Sequence, residues 1–235
     1  DLRNVMRNLA FAVSLYSGQM CTAPQNFFIP ATGVQLADGE VASYEQVVDV
    51  LNNEVAALAL HPKMGAGTLG AIHSEATLLR AKNIDQLGGT IVLKGPNIRN
   101  KYFKEARICA PSIIAFDASD KSGYEQELFG PVIVVIKTES TAHSVALAKE
   151  MALKHGAITC AAYTTNEATA AHITSEMNAA FTPVSFNFIG YIWVNQHAAF
   201  SDFHVTGGNP SGNASFTDPS YITNRFVWVG NRRMA

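Results

Sequence analysis

An open, twisted, mostly parallel α/β sheet with helices on both faces, a three-layer αβα arrangement, is the fold class this sequence predicts. Three observations lead there. Helix-patterned stretches alternate with short apolar runs along the chain, without internal repeat or low-complexity tract. Runs such as Val132-Ile133-Val134-Val135-Ile136 suit strands covered on both faces. With 235 residues at 48% hydrophobic content, the chain can bury one substantial core, or a core with a projecting arm.

Leu2, Val5, Met6, Leu9, Val13 and Tyr16 recur at helical spacing and predict a first helix packed on the sheet. Asn26-Phe27-Phe28-Ile29-Pro30 reads as a strand. Ser43-Tyr44-Glu45-Gln46 is a capping box opening a helix through Val47, Val48, Leu51, Val55 and Leu58, which stops near His61-Pro62. A helix from His73 to Leu87, closed by Gly88-Gly89, precedes a strand over Thr90–Leu93. Ile108–Phe116 and Val132–Ile136 are the next strands, and Ser140-Thr141 caps a helix through Val145, Leu147, Ala148 and Met151 to a Gly156 terminator. Ala161-Ala162-Tyr163 forms a short strand, Asn166 caps a helix to Met177, and Tyr191–Asn195 is a buried strand. Arg225–Gly230 is strand-like but outside that rhythm, an edge in need of a partner.

A formal net charge of -2 gives no electrostatic reason to expect a nucleic-acid partner, which needs a basic stripe. No stretch approaches the roughly 20 apolar residues of a membrane span, and the N-terminus lacks the pattern of a secretory signal. The seven histidines are scattered, and the three cysteines, at positions 21, 109 and 160, are too few and too far apart for a disulfide framework or a metal site. A reducing cytoplasm is the expected compartment, where the acceptor-like Asn213-Ala214-Ser215 carries no meaning. Cys109 and Cys160 flank apolar segments and read as core residues.

Cys21 differs. It ends the run Ser17-Gly18-Gln19-Met20-Cys21-Thr22, between the first helix and the first strand, where a tight glycine-containing turn can give a thiol an approach path for covalent catalysis. From this context alone a buried structural cysteine is an equally good reading. Gly65-Ala66-Gly67-Thr68-Leu69-Gly70 matches the letters of a dinucleotide fingerprint, yet it follows a helix and His61-Pro62 where that site needs a preceding strand, so it is read as a flexible connector.

Downstream, Glu127-Leu128-Phe129-Gly130-Pro131-Val132 opens an apolar strand, and Trp193-Val194-Asn195 precedes Gly207-Gly208-Asn209-Pro210-Ser211-Gly212. Together with Gly18-Gln19-Met20-Cys21, these blocks resemble the aldehyde dehydrogenase superfamily in motif and order, over essentially the whole chain. Ala23-Pro24-Gln25-Asn26 and the ending Tyr221–Arg233 are most similar to its phenylacetic acid degradation branch. The resemblance implies that Cys21 is the nucleophile, that Glu127 binds the nicotinamide ribose and that Phe129 walls the nicotinamide of NAD or NADP. Met20, Thr22, Asn195, His197, Phe200 and Phe203 are the substrate-pocket candidates, and the substrate is an aldehyde or semialdehyde.

The same resemblance makes residues 1–235 a catalytic-domain portion, with 220–235 as an oligomerisation tail joining a homodimer or higher homo-oligomer. Only 20 residues precede Cys21, so the family's nucleotide-binding domain, general-base glutamate and oxyanion asparagine are expected on a preceding part of the protein, without which this chain is a poor dehydrogenase. Two other readings stay open at this stage. One is a cysteine acyl-transfer or hydrolytic module using His197 as base, and the other is a non-catalytic assembly domain.

Overall fold

The structure is a computed structural model describing residues 1–190, the backbone of 200–201, and 229–234. The chain divides into two compact units, one built on Asp1–Ser144 and the other on Val145–Phe188 with the later strands.

In the first unit, α1 (Leu2–Ser14) is capped by Asp1, whose carboxylate accepts from the Asn4 N–H. It lies against α2 (Tyr44–Leu60). Between them come β1 (Asn26–Pro30) and the short antiparallel pair β2 (Val34–Gln35) and β3 (Val41–Ala42). The capping box ahead of α2 forms as expected, Gln46 N–H donating to Ser43 Oγ at 3.2 Å and Ser43 N–H to Gln46 Oε1 at 2.8 Å. Across the α1–α2 contact, buried Glu54 accepts from Arg3 Nε at 2.6 Å and Arg7 Nε at 3.3 Å, so its carboxylate is not left bare in the interior.

The one-turn helix α3 (Gly65–Thr68) and α4 (Glu75–Lys82) follow, then β4 (Thr90–Leu93), β5 (Ser112–Asp117), the single turn α5 (Lys121–Tyr124), β6 (Val132–Thr138) and α6 (Thr141–His155). The sheet order is β1-β6-β5-β4. β1 and β5 both run parallel to β6, and β4 is an antiparallel edge. Val132 through Ile136 are all buried, so the central strand is apolar on both sides, as a covered parallel sheet demands.

The second unit takes in α6 from Val145 onward and holds β7 (Cys160–Ala162), α7 (Glu167–Ala179), β8 (Val184–Phe186), β9 (Phe200–Ser201), β10 (Val229–Gly230) and β11 (Arg232–Arg233). β8 is parallel to both β7 and β11, while β9 and β10 pair antiparallel. Asn166 caps α7 by accepting from the Thr169 N–H at 2.9 Å. Ala152, Ala162, Ala170, Met177, Val184 and Phe186 form this unit's core. Burial pushes the Cys160 thiol up to about 12.

The α/β class with mostly parallel sheets and flanking helices stands, and several boundaries move for local reasons. Helix α1 stops at Ser14, and Tyr16, expected on its apolar face, is 51% exposed with φ of 52°. The helix expected from His73 to Leu87 breaks at Asn83 into α4 and a 3-10 turn, Ile84–Leu87, closed by Gly88 at φ 84°. The strand expected from Ile108 begins at Ser112, directly after Pro111, which has no N–H to give a ladder. Gly65, Thr68 and Leu69 are buried, so this segment is packed rather than a flexible connector. The strand expected at Tyr191–Asn195 lies outside the described residues, as do residues 220–228 of the expected tail, while its described end pairs with Phe200–Ser201 and with β8 of the same chain. Among the described residues no helix is long and apolar enough to cross a membrane.

Candidate active site

Between α1 and β1 the chain makes a left-handed turn, with φ of 52° at Tyr16, 55° at Ser17 and 66° at Gly18. For the two residues that carry a Cβ, this region costs about 1–2 kcal/mol each. Side-chain hydrogen bonds of about 0.5–1.5 kcal/mol apiece offset that cost. Ser17 Oγ donates to the Gly70 carbonyl at 2.9 Å, and Gln19 Nε2 donates to the carbonyls of Tyr16 and Ala71, each at 2.9 Å. The His73 N–H in turn donates to Gln19 Oε1 at 3.1 Å. Gly70 itself lies so close that a Cβ there would sit 3.0 Å from Tyr16 Cα. The Gly65–Gly70 run, dismissed as a nucleotide loop, thus ends by buttressing the turn that carries Cys21.

The turn hands the chain to Met20, Cys21 and Thr22, with the Ala23 N–H donating to the Met20 carbonyl at 3.0 Å. The Cys21 thiol is exposed, whereas Cys109 and Cys160 are partly buried. Burial raises the Cys109 thiol above its ordinary range, with Lys82 pulling weakly the other way. Cys21 is therefore the most exposed of the three cysteines.

The second half of the site arrives from the loop before β6. A Cβ on Gly18 would collide with the carbonyl of Gly130, so the turn leading to Cys21 and the Glu127–Gly130 loop touch backbone to backbone. Gly130 has φ of 125°, and a Cβ there would meet Thr77 Cγ2 at 2.6 Å, making glycine necessary on both counts. Arg80 Nη1 donates to the Phe129 carbonyl at 2.6 Å, and Gln25 bonds the same loop on its other side. Met20, Cys21, Gln25, Glu127 and Phe129 line one cleft of about 60 Å³. Glu127 is exposed, as is Phe129 at 38%.

Of the residues singled out by sequence, Cys21, Met20, Glu127 and Phe129 are brought together, and Thr22 follows Cys21 in the turn, partly buried, without lining the cleft. Asn195, His197 and Phe203 lie outside the described residues, and of Phe200 only the backbone is described, paired with Gly230. Gln19, Gln25, Thr77 and Arg80 were given no role from sequence. Their partners are mostly main-chain groups far along the chain, which leave no pattern to read. Among the described residues no cluster of three or more His, Cys, Asp or Glu could hold a metal ion.

The cleft thus brings together a cysteine, whose thiol is a group able to form covalent adducts, a loop carboxylate, a group able to accept hydrogen bonds from a ligand, and an aromatic residue. The sequence profile of the aldehyde dehydrogenase family matches residues 1–226, and the chain belongs to that family. It is similar to a crystal structure of an NAD-dependent aldehyde dehydrogenase from Burkholderia multivorans, at 37% identity and a TM-score of 0.82, over 97% of this chain and 40% of that one. Among curated relatives, a probable acylating methylmalonate-semialdehyde/malonate-semialdehyde dehydrogenase from Caenorhabditis elegans is 29% identical over 118 residues, 50% of this chain and 22% of the relative. The Mus musculus methylmalonate-semialdehyde/malonate-semialdehyde dehydrogenase is 32% identical over 83 residues, 35% of this chain and 15% of its own length. This chain thus spans less than half the length of each.

Proposed function

We propose that the protein containing this chain is an NAD-dependent aldehyde dehydrogenase that oxidises an aldehyde or semialdehyde to the acid level through a covalent adduct on Cys21. The observation carrying this reading is that Cys21, Glu127 and Phe129 line one cleft. The 37% identity to an NAD-dependent enzyme favours NAD over NADP.

The Cys21 thiolate attacks the aldehyde carbon. A C–S bond forms, the carbonyl π pair moves to oxygen, and the backbone N–H of Cys21 helps hold that oxyanion. A bound nicotinamide would supply the acceptor for the hydride lost as the adduct on Cys21 re-forms its C=O bond and becomes a thioester. Attack of water on the thioester then releases the acid and the thiol. Glu127 can accept two hydrogen bonds from a vicinal diol, which would fix the nicotinamide ribose, and the exposed face of Phe129 can wall the ring. The residues present therefore fit the cofactor's nicotinamide end.

We further propose that the substrate belongs to phenylacetate or other aromatic-acid degradation, on the strength of Ala23-Pro24-Gln25-Asn26 and the Tyr221–Arg233 ending, with a semialdehyde in keeping with the names of the curated relatives. Residues 220–235 would join subunits of a homo-oligomer in the cytoplasm, and the nucleotide-binding domain would lie elsewhere in the intact protein. Steady-state NADH production by the intact protein, with aromatic aldehydes and short semialdehydes compared, tests the substrate. Glu127→Ala is expected to raise KM for NAD by about tenfold, equivalent to one lost charged hydrogen bond. An unchanged KM would retire the ribose assignment.

A further inference from the structure

We propose that Gln25 is a positioning residue that registers Glu127 against Cys21, an inference that rests on Glu127 being the ribose ligand. The main chain of Gln25 is fixed at the foot of β1, its carbonyl accepting from the Val134 N–H of β6 at 2.9 Å. From there its side chain reaches the loop that carries Glu127. Nε2 donates to the Gln126 carbonyl at 2.9 Å and to Asn26 Oδ1 at 3.0 Å, while Oε1 accepts from the Leu128 N–H at 2.6 Å. Asn26 adds a second tie, Nδ2 donating to the Tyr124 carbonyl at 3.3 Å.

The main-chain groups that Gln25 holds belong to the residues immediately before and after Glu127. Leu128 is anchored as well by its own side chain, 3% exposed in the core. Glu127 is thereby tethered on both sides while its carboxylate stays exposed at the cleft. Because Gln25 follows Cys21 by one short turn, its amide helps set the spacing between nucleophile and carboxylate, alongside the Gly18–Gly130 contact and the Arg80 tie to Phe129. Both amide hydrogens of Gln25 are already engaged, so it has none left to offer a ligand and acts through Glu127. Its misplacement would be felt in cofactor binding before it is felt at sulfur.

The test compares the intact wild-type protein with Gln25→Met, Gln25→Glu, Glu127→Ala and the Gln25→Met/Glu127→Ala double variant. KM for NAD, the melting temperature and the iodoacetamide labelling rate of Cys21 are measured for each. Gln25→Met, similar in shape and without hydrogen bonds, is expected to raise KM for NAD by about fivefold to tenfold. The Cys21 labelling rate should stay within about twofold, and Gln25→Met should add nothing further once Glu127 is alanine, because a residue acting through another loses its effect with it. Gln25→Glu keeps the acceptor for Leu128 but sets a carboxylate against the Gln126 carbonyl, so it should raise KM at least as much and carries the test if the methionine variant fails to fold. An unchanged KM in a folded Gln25 variant, or effects that add in full in the double variant, would overturn the role of Gln25 while leaving Glu127 as ligand. An unchanged KM in Glu127→Ala would remove the ribose assignment and this inference with it.

Discussion

Cys21→Ser is expected to lower aldehyde-dependent NADH production by at least about 10³-fold, since a hydroxyl replaces the thiol proposed to form and release the covalent adduct. The exchange is otherwise small. The Cys21 side chain is exposed and serine keeps its shape with a smaller atom, so folding stability should stay within about 0.5 kcal/mol of wild type. Activity and melting temperature therefore separate. A serine variant that folds normally, binds NAD with an unchanged KM and retains more than about a tenth of the activity would place the chemistry elsewhere.

Gly18→Ala should be the most damaging small substitution in the described part of the site, at about 2–4 kcal/mol of stability. About 1–2 kcal/mol follows from holding an alanine at φ of 66°, and the rest from driving a methyl group into the Gly130 carbonyl. Gly39 supplies the control, because it has φ of 90° with nothing within 4 Å of an added Cβ. Gly39→Ala should show the backbone cost alone. Urea titrations of both variants measure the difference, and equal losses would mean that the Gly18–Gly130 approach is not as tight as described. Since this approach joins the Cys21 turn to the Glu127 loop, Gly18→Ala should also depress turnover beyond its effect on stability.

What could be read from sequence divides along the line between local and distant causes. Ser43 and Gln46 are three residues apart and satisfy each other, so the start of α2 was legible, as was the Asn166 cap of α7. The apolar run Val132–Ile136 declared itself as a central strand because every one of its side chains is buried. Tyr16 was misplaced because helical spacing continues through it, whereas the backbone leaves the helix at Leu15 to make the left-handed turn. That turn is held by Gly70, Ala71 and His73, more than fifty residues away. The division of the chain into two units, each with its own wholly or mostly parallel sheet, also rests on pairings between distant strands.

The site followed the same rule. Cys21, Glu127 and Phe129, which line one cleft, were singled out because a family resemblance marks them, while Gln19, Gln25 and Arg80 went unassigned because what they hold is chiefly main chain. A glutamine that bonds a distant carbonyl looks, in sequence, like any surface glutamine. Only the juxtaposition of the Gly18 turn and the Gly130 loop turns three scattered amide and guanidinium groups into a frame for one cleft.

The central claim is that Cys21 is the nucleophile, and peptide-resolved labelling of the three thiols in the intact protein tests it most directly. Iodoacetamide should modify Cys21 first. Cys109, raised by burial, should lag, and Cys160, with its thiol pushed up to about 12, should resist until strongly alkaline pH. Preincubation with an aldehyde substrate should protect Cys21 alone, and with NAD present a thioester of the matching acyl mass should be trapped on the Cys21 peptide. If Cys21 labels no faster than Cys109 and Cys160, and aldehyde neither protects it nor leaves an acyl group on it, the thiol is not the nucleophile and the account fails at its centre.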